Sequence, residues 1–255
     1  MVTPARFDLS RLSRALYEQF LQNAKARQFE FVQFRDFLRP PLPARFIALR
    51  HDIDFAPEYA LAMAELERSA GIVSTYFVLT DGQFYDVLAP STVRTVRRLH
   101  ALGHEIGLHF AVGSAVDPDV GDEVAWRLNV LSDIVGTRVV SFSQHDPVNA
   151  GFADVVLPAS SAPCIDAYKA IRDHDLLYVS DSAKMWRRHT FDTALAEDRN
   201  LCLLAHPHSW LHPNEDYIGM IREFQAAETE RASEPFDTFV DALVKYYERR
   251  VRDGV

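Results

Sequence analysis

Phe46-Ile47-Ala48-Leu49-Arg50-His51-Asp52-Ile53-Asp54 is an apolar run that turns into charge at its end. Strands of a parallel sheet, covered on both faces, read as such unbroken apolar runs rather than as alternation. Upstream, Pro40-Pro41-Leu42-Pro43 brakes the chain before the strand begins. Downstream, Pro57 suits the first turn of a helix over residues 57–70, and Gly71 supplies the left-handed residue that closes it. Residues 74–79 then read as a second strand. The same unit recurs twice more: Pro90 and Ser91 open a helix that Gly103 closes, with a strand over 105–110. A helix over 118–135 follows, ended by Gly136, with a fourth strand over 138–143. Later strands are expected over 176–180 and 200–205. Short apolar strands alternating with helices of this length are parallel βαβ units, numerous enough for a barrel or a doubly wound sheet.

The remaining segments frame that pattern. Residues 8–26 carry apolar positions at helical spacing (Leu12, Ala15, Leu16, Phe20, Leu21), with Asp8 or Ser10 able to cap the start. A stretch rich in Pro, Ser and Ala over 146–163 reads as an excursion over the barrel mouth. Residues 219–252 read as helical with a break near 233–235. The 255 residues suffice for one large core, so a single domain over 1–255 is expected, with 1–43 as a helical extension packed on the barrel.

Composition removes several functions. With 27 basic against 36 acidic residues the net charge is -9, and the small basic groups Arg94/Arg97/Arg98 and Arg187/Arg188 are isolated, so no nucleic-acid partner is expected. No stretch of about 18 apolar residues suggests a membrane span, and residues 1–12 hold no apolar run of signal-peptide length, which leads us to expect a cytoplasmic protein. Cys164 and Cys202 are too few for a disulfide framework or a thiolate zinc site and read as buried apolar thiols. Any metal must therefore be held by nitrogen and oxygen.

Side chains alternate along a strand, so Asp52 and Asp54 share one face and His51 and Ile53 the other. Two carboxylates on one face at the C-terminal end of a parallel strand need a cation or a proton to relieve their repulsion, although Asp54 could instead cap the next helix. In Gly103-His104-Glu105-Ile106-Gly107-Leu108-His109, parity allows only one histidine to face the barrel mouth. His109 ends the strand and is the candidate, while His104 reads as a satisfied structural residue. Ser143-Gln144-His145-Asp146-Pro147 and Leu204-Ala205-His206-Pro207-His208-Ser209-Trp210 end two further strands with imidazoles. Trp210 could stack on a sugar ring or fill the core. Four expected strands thus end in Asp or His, which a random scatter of 10 histidines would seldom produce. There is no Gly-x-Ser-x-Gly elbow, and neither cysteine adjoins a histidine, so a Ser or Cys nucleophile is not indicated.

These residues resemble the polysaccharide deacetylase superfamily, the NodB homology domain, in the branch whose first motif reads His-Asp-Val-Asp. The resemblance spans roughly residues 20–210 and rests on Leu49 to Asp54, Ala70 to Phe77, Gly103 to His109, and His206-Pro207-x-x-Trp210. It implies a deformed (β/α) barrel of about seven parallel strands that uses one divalent metal ion to remove acetyl groups from sugars. It further implies Asp52 as general base, Asp54 and His109 as metal ligands, and His206 as the acid that protonates the leaving amine. Gly113 stands where typical members carry a second histidine ligand; His145 is the candidate replacement, with His208 the second choice. Asp146 stands where an arginine orienting the base is common. Arg50, His51, His208 and Trp210 are the expected substrate-binding residues.

The leading reading is a zinc-dependent deacylase of an N-acylated sugar, with a nucleotide-linked or lipid-linked precursor of a surface polysaccharide as partner. Two others stand beside it: hydrolysis of another carbon–nitrogen amide bond in a small metabolite, and a metal-free barrel that binds glycan without turnover.

Overall fold

A computed structural model of the chain describes residues 12–253 apart from 83, 112–119, 148–150, 152–154, 162, 185, 187 and 214–215; the side chains at 183 and, in the last helix, at 231–237, 239, 243 and 246–253 are also outside the description. The chain forms two compact units, Met1–Pro213 and Asn214–Val255.

The first unit holds one sheet of strands β1 (Glu30–Val32), β2 (Phe46–Ile53), β3 (Thr75–Leu79), β4 (Glu105–Phe110), β5 (Ser141–Gln144), β6 (Ile165–Asp166), β7 (Leu177–Ser180) and β8 (Leu201–Ala205). Every pairing is parallel, in the order β6-β5-β4-β3-β2-β8-β7, with β1 beside the first half of β2. Neighbours in the sheet are neighbours in sequence except where β8 meets β2. That junction is the closure of a (β/α) barrel, left open among the described residues between β6 and β7. The deformed barrel of seven parallel strands expected from the sequence is what forms; β6, where no strand was expected, is one of the seven, and β1, likewise not expected, adds a short eighth.

All residues of β2, β3, β4, β5 and β8 are buried, as a sheet covered on both faces requires. Even-numbered residues of β2 face the barrel interior, where Phe46 and Ala48 pack with Phe77 and Cys202. Odd-numbered Ile47 and Leu49 face outward, onto Tyr17, Phe20, Met63 and Trp210. The helices Pro57–Ser69, Pro90–Ala101 and Val120–Val135 are followed by Gly71, Gly103 and Gly136 at φ 71°, 96° and 81°, the left-handed conformation that glycine adopts without a Cβ penalty.

Some expectations change. The helix expected over 8–26 is seen as Arg14–Ala26, capped by Ser13, whose side chain accepts from the Leu16 amide; Asp8 and Ser10 lie outside the described residues. Cys202 is buried, but Cys164 is only half-buried, because it lies where the chain enters the edge strand β6. The second unit contains the helix Tyr217–Asp253, with no break at 233–235. An internal proline removes one amide donor and crowds the preceding turn, yet the backbone stays helical through Pro235. No helix of the described residues is long and apolar enough to cross a membrane.

Candidate metal centre

The C-terminal ends of β2, β4, β5 and β8 bring five expected residues together. Asp54 follows β2, His109 lies near the end of β4, and His145 and His206 come just after β5 and β8. The Asp54 Oδ1 atom lies 3.3 Å from His109 Nε2 and 3.4 Å from His145 Nδ1, and the two nitrogens are 3.2 Å apart. Ligands at about 2.1 Å around a tetrahedral ion are spaced by about 3.4 Å, so this triangle has the dimensions of a zinc-type site. Asp54 Oδ1 is also buried and accepts no hydrogen bond, an unsatisfied acceptor of the sort a cation relieves. His109 Nδ1 lies 2.8 Å from the Ser143 carbonyl and must donate to it, which turns the Nε2 lone pair toward Asp54. A carboxylate oxygen and two imidazole nitrogens this close need positive charge among them, a proton or a metal ion. Burial alone would raise the Asp54 carboxyl, yet His109 and His145 hold it well below the usual range. Asp54 in turn raises the His145 imidazole against the opposing effect of burial.

Asp52 sits beside this triangle, its Oδ2 3.6 Å from His109 Nε2. Arg50, two residues earlier on the same face of β2, clamps it: Nη2 donates to Oδ1 at 2.7 Å and to Oδ2 at 2.6 Å, and Nε donates to Oδ1 at 3.1 Å. The guanidinium also donates to Ser143 Oγ and lies over the Phe77 ring at 4.7 Å. Against burial, Arg50 and then His109 hold the Asp52 carboxyl below the usual carboxylate range. Arg50 thus orients the expected base, the task for which the resemblance assigns an arginine at the position of Asp146.

His206 Nε2 is 3.5 Å from Asp54 Oδ2, and its Nδ1 is 2.5 Å from Asp181 Oδ1. Asp181 also accepts from the His206 amide, at 3.0 Å on Oδ2, and from Trp210 Nε1 at 2.7 Å. Burial would lower the His206 imidazole, but Asp181 outweighs it and raises the ring to about 9, so it carries its proton at neutral pH.

The expected substrate-binding residues lie deeper. Arg50 and His51 are fully buried, with His51 Nε2 on Glu67 at 2.6 Å and Nδ1 on the Ala205 carbonyl. In this conformation each reaches the barrel mouth only through its partners. Trp210, 4% exposed, stacks on Phe191 within the core. His208 is buried and lies 4.0 Å from Phe55, ring to ring. His104 is fully buried between Ser74 and the Ala64 carbonyl. Gly113 lies outside the described residues. Asp181 escaped the sequence reading, although it follows the strand expected over 176–180 and the rule that found the other groups applies to it equally. Of the described non-glycine residues in left-handed backbone, Gln28 and Asp175 follow helix ends, whereas Ala56 and Asp146, at φ 51° and 42°, come just after Asp54 and His145, and Lys184, at φ 56°, ends the short helix Ser182–Lys184 that follows Asp181. Left-handed backbone at non-glycine residues is costly and collects where function fixes a side chain.

No protein-family profile matches the chain, and no curated protein matches its sequence. Among solved structures it is similar to a CE4 family pseudoenzyme from Bacillus anthracis, at 13% identity and a TM-score of 0.40 over 71% of this chain and 60% of that one. It is also similar to the Streptococcus pyogenes deacetylase PplD in complex with acetate, at 15% identity and 0.43 over 76% and 84%. A family 4 acetyl xylan esterase from Clostridium thermocellum, in complex with a cobalt ion, gives 19% and 0.41 over 71% and 84%. The chain thus spans 60% of the length of the first of these.

Proposed function

We propose that this chain is a metal-dependent deacylase that removes an acetyl group from an N-acylated sugar. The observation that carries the reading is the triangle of buried His109 and half-buried Asp54 and His145, with an unsatisfied carboxylate oxygen at one corner. These three residues would hold the ion, zinc by the chemistry of its donors, which when bound polarises the acyl oxygen and acidifies a water. Asp52, oriented by Arg50 and ionised at neutral pH, takes the proton from the attacking water. His206, charged through its pairing with Asp181, delivers a proton to the departing amine. The two groups flank Asp54 with opposite protonation states, as an acid and a base serving one reaction must.

Metal content and acetate release from N-acetylated amino sugars test the reading together. Asp52→Asn is expected to abolish turnover and keep one ion per chain; His145→Ala is expected to lose the ion. Stoichiometric metal in His145→Ala would remove it from the ligand set, and a wild-type protein that binds no divalent ion would end the proposal.

A further inference from the structure

The mouth of the barrel carries an aromatic surface that none of the roles above uses. Phe84 is 54% exposed, and its ring packs edge-on against Phe55 with centroids 5.8 Å apart. Phe55 follows Asp54 in the chain and lies against His208 at 33° between ring planes; His208 lies 5.7 Å from His206. The wall therefore runs from solvent to the proton donor. Single exposed apolar residues are ordinary, but this pair is built in. Tyr85, next to Phe84, accepts from the Leu79 amide and donates to the Ile53 carbonyl, both at 2.9 Å, which ties the loop bearing Phe84 to the end of β2 that bears Phe55. The left-handed Ala56 fixes the turn on the other side of Phe55.

We infer that Phe84, braced edge-on by Phe55, forms a stacking platform for the ring bearing the departing amine, a pyranose that lays its apolar C–H face on the exposed Phe84 ring. This assignment rests on the proposed function for its orientation, because His206 marks the leaving-group side. Aromatic faces carry partial negative charge and attract the slightly positive C–H groups of a sugar, and covering an exposed phenyl ring releases water. Trp210 cannot serve here, since its ring is in the core and its N–H is held by Asp181.

Calorimetric binding to metal-loaded Asp52→Asn protein, which leaves ligands intact, tests the platform with two probes: the methyl glycoside of N-acetylglucosamine, and N-butylacetamide, which has the amide but no ring. Phe84→Ala is expected to weaken the glycoside about tenfold, Phe84→Trp to restore it, and N-butylacetamide to be unmoved. Equal change for both probes, no change for the glycoside, or no glycoside binding before substitution overturns the inference. The two proposals separate cleanly. Acetate release by the wild type with an unchanged KM in Phe84→Ala sinks the platform alone, whereas Phe84-dependent binding by a wild type that releases no acetate sinks the deacylase reading alone.

Discussion

Asp181 does three things at one carboxylate: it fixes the His206 ring, anchors the His206 amide and holds the Trp210 N–H. The first of these sets the pH range in which His206 is an acid. Asp181 raises the imidazole to about 9, and a cation seated at Asp54 would work against that, so the upper limb of the activity profile is expected at or below pH 9. Activity should fall as pH rises through that limb, because the proton to be donated is lost. Asp181→Asn removes the charge that retains it and should shift the limb to lower pH, a change read from kcat/KM against pH. An unmoved limb would mean that His206 is not the titrating acid.

β4 shows how one element can be both legible and opaque. Its span and the parity of its histidines follow from Gly103 to His109 alone, because a strand buried on both faces leaves a recognisable run and alternation does the rest. The role of Gly107 does not follow, since it depends on neighbouring strands. A Cβ there would lie 2.5 Å from the Phe77 ring and 2.7 Å from Ser141 Oγ. Phe77 is the floor on which the Arg50 guanidinium rests, so Gly107→Ala must push that floor toward the clamp on Asp52. We expect this substitution to cost about 1–3 kcal/mol of stability and to lower kcat more than its loss of folded protein accounts for, measured by denaturant unfolding beside steady-state kinetics. The strand ends bearing Asp52, Asp54, His109, His145 and His206 were legible for the same reason that β4 was. The clamp of Arg50 on Asp52 and its bond to Ser143 were not legible, because the sequence records the place of Arg50 on the strand but not what faces it across the barrel.

Across the first unit, Glu67 binds layers that the sequence shows separately. From the helix Pro57–Ser69 it accepts from Tyr17 of the N-terminal helix, from His51 on β2 at 2.6 Å, and from Ser74 and Tyr76 at 2.6 and 2.9 Å. In sequence it is one acid on an amphipathic helix, indistinguishable from a solvated one. Burial would raise its carboxyl, but His51 and the hydrogen bonds lower it from 4.5 to about 2. A depressed acid contributes stability that is full above its unfolded pKa and is lost as pH falls through the folded one. Glu67 should therefore contribute on the order of 3 kcal/mol near neutrality, fading between pH 4.5 and 2. Glu67→Gln should unfold more easily than wild type at pH 7, with the gap in midpoint narrowing toward pH 2; a constant gap would locate the effect in packing. The open side of the barrel has a different consequence. β6 offers two residues and β7 four to anything that would pair along them. An intruding strand from another molecule finds too few rungs for a lasting ladder, so brevity rather than repelling charge guards these edges against self-association.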